Sequence, residues 1–362
     1  MSATGNFAGS YRAGEVTFLL TPLPLQDFVD LPEKERLIQS GQRHYSEMLS
    51  PESLPSPRYL DVFKTACAIN GERMARDCLH LAHLIAARRP DEITLVSLAR
   101  AGTPVGVVVS RLLNEVLQRP CTHYSVSIIR DRGIDRNALQ HILARHSAES
   151  IVFVDGWTGK GVIARELAST IAGYNTQHAT NIDAGLYVLS DLAGVAACAA
   201  SCDDYLIPSS ILNATVSGLV SRSILNDAIG PDDFHGCVYY EQFLRDDQSQ
   251  AFADDLVAQA SKLTLDAAAP IDKHAAGLVS RQYIADALLA HGISDVNLVK
   301  PGIGEATRVL LRRTPRLLLV RDVDAPEVAH LILLAKEKGV PVQIDAALPY
   351  FAVSLIRSAV DA

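Results

Sequence analysis

The chain has 362 residues and a mass of 39.0 kDa; 48% of its residues are hydrophobic and 20% charged, which excludes wholesale disorder. That length favours two domains over one. The net charge of -8 is unevenly spread: residues 272–362 carry 11 Lys+Arg against 10 Asp+Glu, and the remainder 22 against 31, so only the C-terminal part is suited to approach a polyanion.

No apolar run reaches the ~20 residues needed to span a bilayer, so no membrane partner is expected. The start, MSATGNFAGSYRAGEV, has no basic region followed by an apolar core, and a cytoplasmic location is the expectation. Cys67, Cys78, Cys121, Cys198, Cys202 and Cys237 form no CxxC pair, which predicts reduced, buried thiols and no protein-built metal site.

In chain order, Val16–Leu20 reads as a short strand, and residues 58–89 carry apolar residues at helical spacing. Strands are predicted at Ile93–Leu98, Ser125–Ile129, Ile151–Asp155 and Gly185–Leu189. Helices are predicted at Pro104–Leu117, Ala138–Ala144 and Val162–Ile171. This alternation describes a mostly parallel α/β sheet with flanking helices. Residues 246–270 turn acidic and alanine-rich, as a helix running into a linker would. The expected division is a first domain over 1–262, a linker over 263–271 and a second domain over 272–362. The second alternates again, with helices at Val279–His291, Glu305–Arg313, Pro326–Lys338 and Tyr350–Val360. Its strands are predicted at Val296–Val299, Leu317–Val320 and Val342–Ile344.

Three strand-to-helix loops carry the chemistry. In FVDGWTGKG (153–161) the glycines allow close backbone approach to an anion, Thr158 adds a hydroxyl and Lys160 a charge. It is not a Walker A loop, because the spacing differs and no Ser/Thr follows the lysine. SLARAGTPVG (97–106) places Arg100 at a second loop tip, and SIIRDRGID (127–135) makes a third loop dense in charge. Any one of them reads equally as a solvated turn. In a parallel sheet, however, all three emerge at the carboxyl edge, where crevices form.

This order of loops resembles the type I phosphoribosyltransferases, and more narrowly a divergent branch found beside bacterial tellurium-resistance and stress genes. HYSVSIIRDRGID, FVDGWTGKG and NATVSGLVSR (213–222) carry the resemblance over about residues 15–260. It implies that Thr158, Gly159, Lys160 and Gly161 take the 5-phosphate of phosphoribosyl pyrophosphate and that Asp155 takes the ribose. The family's second acidic residue is Gly156 here. Arg100, Ala101 and Gly102 match the pyrophosphate loop, whose backbone in relatives often includes a non-proline cis peptide. Arg130 and Arg132 match the mobile lid, so that Arg100, Arg130 and Arg132 form the catalytic set. Mg²⁺ held mainly by substrate oxygens is the implied cofactor, and a homo-oligomer the implied state. Asn213, Thr215 and Ser217 lie where relatives bind the acceptor; capping a helix is an equal reading of them.

The stretch VNLVKPGIGEATRVLLRR (296–313) resembles the RNA-binding domain of Pelota and its kink-turn-binding ribosomal relatives. On that resemblance the second domain is a small α/β/α unit in which Lys300, Gly302, Glu305 and Arg308 contact structured RNA. A solvated basic face is the bland alternative. Some relatives of the first domain bear a cysteine-protease label, but neither Cys67 nor Cys78 sits in a nucleophile signature, and His80 and His83 suit an amphipathic helix. Phosphoribosyl transfer to a small acceptor is the expected activity; a non-catalytic phosphoribosyl sensor that regulates RNA is the alternative.

Overall fold

The computed structural model describes residues 7–25, 29–50, 52–265, 271–313 and 315–357. Two short strands, β1 (Thr17–Leu19) and β2 (Thr21–Leu23), come first. Helix α1 (Leu31–Gln39) begins under Asp30, whose carboxylate accepts from Glu33 N–H. The long helix α2 (Pro57–Arg88) begins under Ser56 in the same way, with proline where no amide partner is lost.

The chain then alternates through β3 (Ile93–Ala99), α3 (Thr103–Arg111), β4 (Cys121–Ile129), β5 (Gly133–Ile134), α4 (Arg136–Leu143), β6 (Ile151–Thr158), α5 (Val162–His178), β7 (Leu186–Asp191) and β8 (Cys198–Ser201). Six of these strands lie side by side in the order β1-β4-β3-β6-β7-β8, all parallel, and β5 folds back antiparallel onto β4. From β3 the chain goes to β4 on one side and later returns to β6 on the other. That reversal opens a crevice between the carboxyl ends of β3 and β6. Side chains alternate across the sheet. Val96, Phe153 and Val188 pack with Leu139, Ile142, Leu167 and Ile171 on one face, whereas Leu95, Val152, Val154 and Leu189 join α2 and α3 on the other.

Strand β9 (Gly236–Val238) pairs with β2 beside the crevice, and α6 (Ser249–Ala260) packs on α2 and α3. The second unit comprises α7 (Lys273–Ala290), β10 (Val299–Pro301), α8 (Ile303–Arg312), β11 (Pro315–Val320), α9 (Ala329–Glu337), β12 (Val342–Ile344) and β13 (Ala352–Ile356). Its sheet order is β10-β13-β11-β12, with only β11 and β12 parallel. One continuous apolar cluster holds Ile207 and Ile211 of the first unit together with Ile303, Ala306 and Leu310 of the second. Residues 266–270 of the expected linker lie outside the described residues.

The α/β architecture expected from the sequence is the one that forms, with three local corrections. The helix expected at Tyr350–Val360 is strand β13 over its described part, and residues 358–360 lie outside that part. Ala352–Leu355 are all buried between β10 and β11, and a short apolar run buried on both faces has no period to separate helix from strand. Strand β8 went unpredicted because CAAS lacks β-branched and aromatic residues. The strand expected at Val296–Val299 is a 3₁₀ turn over Val296–Leu298, and β10 starts only at Val299. No helix among the described residues is long and apolar enough to cross a membrane.

Candidate functional site: an anion crevice closed by the second unit

The three loops meet in a cavity of about 670 Å³ at the reversal point, within the size range of small-molecule sites. Eight Lys or Arg side chains line it against three carboxylates, Glu52, Asp155 and Glu305. Such an excess of cations in a partly buried space selects an anion.

The phosphate loop is built from backbone. Gly161 starts α5 at φ +71, no side chain caps that helix, and Val162, Ile163 and Ala164 of its first turn line the cavity. First-turn amides lack intrahelical acceptors, so this end is suited to an anion. Glycine is favoured at 161, since a Cβ there would stand 2.7 Å from Val195 Cγ2 in left-handed backbone. Thr158 lines the cavity, but its hydroxyl donates to Asp191 Oδ1 and accepts from Ala193 N–H at 3.2 Å. In this arrangement the hydroxyl anchors the loop to the end of β7. Lys160 donates to the Val296 carbonyl of the second unit.

Burial, then the neighbouring Lys300, depresses Lys160 to about 8. An anion beside it restores the charged form. Binding above pH 8 should therefore take up a proton, and affinity should fall as pH rises past 8. Calorimetry of ribose 5-phosphate at pH 8.5, in buffers of different ionisation enthalpy, measures that uptake. Lys160→Met should abolish it, and an unchanged proton count in the variant would remove Lys160 from the site.

Arg100 lies at the β3 loop tip, where the Ala99–Arg100 peptide is cis, as the resemblance implies for this loop. Its guanidinium pairs with Glu52 at 2.6 Å and donates to the Val220 carbonyl at 3.1 Å and to Asn213 Oδ1 at 3.2 Å. Ala101 lines the cavity. Gly102 does not; a Cβ there would stand 2.7 Å from the Val154 carbonyl, so glycine allows the loop to pass β6. Of the charged loop, Arg130 lines the cavity and lies over the Tyr45 ring at 5.5 Å. Arg132 is absent from the lining and is paired with Glu47 at 2.9 Å.

Asp155 lies within β6, three residues before its end at Thr158, with one carboxylate oxygen accepting from Gly156 N–H at 2.8 Å. Burial raises its carboxyl to about 6, against the pull of Arg308 and with the push of Glu305. Gly156 itself is not in the lining. Of the acceptor candidates only Asn213 reaches the main cavity. Thr215 borders a separate hollow, and the Ser217 hydroxyl donates to the Asn213 carbonyl at 2.9 Å, the turn-capping reading.

All four residues read as RNA contacts sit at this crevice or frame it. Lys300, Glu305 and Arg308 line it, and Gly302, at φ +89, begins α8. Arg308 lies over the Trp157 ring at 4.6 Å, and its Nε is buried with no hydrogen-bond partner among the described residues. From the first unit, the Asp204 carboxylate accepts from Ile303 N–H and Phe351 N–H, each at 2.8 Å, and so pins α8 in place. Sequence reasoning did not single out Trp157, Glu52 or Arg222, although Trp157 lies inside the phosphate loop. Arg222 ends the NATVSGLVSR stretch and donates to the Tyr45 carbonyl at 2.8 Å. Burial, then Arg100, lowers it to about 10.

Fold and site define an α/β protein with a cationic ligand crevice at the strand-order reversal. Residues 9–257 match the family described as "Tellurite-like stress resistance cysteine protease StiP", and residues 278–358 match the "PELOTA RNA binding domain". A protein of Acinetobacter baylyi (strain ATCC 33305 / BD413 / ADP1), named "Cysteine protease StiP", is 41% identical over 365 residues, covering 97% of this chain and 94% of that one. The chain belongs to this StiP family. Among solved structures, a mutant hypoxanthine phosphoribosyltransferase from Trypanosoma cruzi, complexed with the product IMP, is 14% identical with a TM-score of 0.29, covering 38% of this chain and 73% of that one. A second structure of the Trypanosoma cruzi enzyme is 14% identical with a TM-score of 0.27, covering 37% and 82%. Scores this low leave the fold resting on its own strand order.

Proposed function

We propose that the protein transfers ribose 5-phosphate from phosphoribosyl pyrophosphate to a small acceptor. The observation that carries this reading is the crevice itself, where a glycine loop at a helix start, Asp155 and the cations Arg100, Arg130 and Lys160 converge at the sheet's reversal point. The acceptor's nucleophilic atom forms a bond to the anomeric carbon as the bond from that carbon to the pyrophosphate oxygen breaks. Pyrophosphate leaves with the electron pair, and the acceptor's proton goes to solvent.

The chain's own residues orient and stabilise. The α5 amides and Lys160 hold the 5-phosphate, and Asp155 accepts from a ribose hydroxyl. Arg100 and Arg130 lie where charge grows on the leaving group. Asn213 faces the acceptor. Asp155, Glu52 and Glu305 are the carboxylates lining the crevice that could help hold a Mg²⁺ brought in with the substrate. When bound there, Mg²⁺ would neutralise part of the leaving-group charge.

A thiol protease needs a cysteine held as thiolate. Here burial drives the thiols the other way, to about 12 for Cys67 and Cys237 and about 11 for Cys121 and Cys202; Cys78 and Cys198 are raised as well. None of the six lines the crevice. The activity is tested by incubation with phosphoribosyl pyrophosphate, Mg²⁺ and a panel of nitrogenous bases, following pyrophosphate release. Release that depends on one acceptor is the expected result, and tight binding with no release would favour the sensor reading. That second reading is supported by the placement of the Pelota-like residues on the same crevice.

A further inference from the structure

The phosphoribosyl reading leaves one chemical deficit. A ribose diol presents two hydroxyl donors, and Asp155, which also accepts from Gly156 N–H, is the single carboxylate of the 153–161 stretch. The neighbouring position that holds an acid in phosphoribosyltransferases is Gly156, which has no side chain. Glu305, on the first turn of α8, lines the same cavity from the second unit. Its Cγ lies 3.3 Å from where a Cβ on Gly159 would stand, so the glycine of the phosphate loop leaves room for this side chain.

Glu305 is ion-paired with Arg308 at 3.5 Å and with Lys300 at 3.9 Å. Burial alone would raise its carboxyl, but Arg308, Lys300 and Lys160 together hold it below the ordinary value and keep it an acceptor. The start of α8 is fixed by the Asp204 bond to Ile303 N–H, and a Cβ on Gly304 would touch the Trp157 ring at 3.4 Å.

We propose that Glu305 is the second carboxylate of the sugar-diol site, so that the ligand is bound between the two units and the second unit completes the first. This rests on the phosphoribosyl reading and goes beyond it by assigning a binding role to a residue outside the first domain.

Trp157 is the chain's single tryptophan and lines the cavity, so its fluorescence reports binding directly. The full-length protein is titrated with ribose 5-phosphate and with its 2-deoxy and 3-deoxy analogues. Wild type should prefer ribose 5-phosphate over each analogue by about 10–100-fold, the worth of a hydrogen bond to a charged group. Glu305→Gln should lose the preference against one analogue only, and Asp155→Asn the preference against the other. If Glu305→Gln does not fold, Glu305→Asp, which keeps the charge and withdraws it by one methylene, should reduce the same preference. Preserved discrimination in the folded Glu305 variant overturns the inference, even if RNA binding falls. So does wild-type protein that binds all three sugars equally. Wild-type protein that binds none of them overturns the phosphoribosyl reading itself.

Discussion

Arg100→Met is expected to slow pyrophosphate release by about 10²–10³-fold while changing ribose 5-phosphate affinity little, because its charge matters where the leaving group develops its own. Arg100 also has a structural part. It pairs with Glu52 at 2.6 Å, and the two side chains are only 14% and 11% exposed. Removing the cation strands Glu52, which still accepts from Ala214 N–H at 3.2 Å, at a cost on the order of 1–3 kcal/mol. The two effects separate in the double variant Glu52→Gln with Arg100→Met. It should regain melting temperature, since no charge is left unpaired, but should not regain turnover. Recovery of both would show that Arg100 acts only by holding Glu52 and Asn213 in place. Arg132→Ala should have a much smaller effect, because Arg132 is engaged by Glu47 away from the cavity.

That contrast marks the limit of what residue spacing revealed. The parallel sheet was legible because β3, β6 and β7 are largely apolar and β4 is rich in β-branched residues, with helical periods between them, and β3, β4 and β6 each end in a loop with glycine and charge. Convergence of those loops follows from any strand order that reverses between β3 and β6. Which arginine of RDRGID enters the crevice does not. It depends on the turn, where Asp131 at φ +66 and Gly133 at φ +85 send Arg130 inward and Arg132 toward Glu47. Nor does spacing reveal that the Thr158 hydroxyl has a partner in Asp191, 33 residues later. Least legible was the meeting of the two units. Glu305 and Arg308 lie roughly 150 residues from Asp155 and Trp157, and no local pattern predicts that Asp204 will hold the start of α8 at Ile303, 99 residues further on.

The same meeting makes the largest binding prediction. If the second unit recognises structured RNA through Lys300, Glu305 and Arg308, then RNA and a phosphoribosyl ligand compete, because these side chains line the cavity the small anion occupies. Saturating phosphoribosyl pyrophosphate with Mg²⁺, at about 100 times its Kd, should weaken binding of a kinked RNA by about 2.7 kcal/mol, or roughly 100-fold. A plain duplex should bind less well than the kinked RNA, since readout of distorted RNA depends on shape and splayed bases. Affinity should also fall steeply with salt as counterions are retained on the RNA. Arg308→Glu should abolish the RNA preference and shift Trp157 emission even without ligand, since Arg308 lies 4.6 Å from that ring. The competition is read by fluorescence polarisation of labelled RNA at fixed ionic strength. Additive rather than competitive binding would place the RNA face elsewhere on the second unit. The carboxylate of Glu305 would then serve the sugar alone.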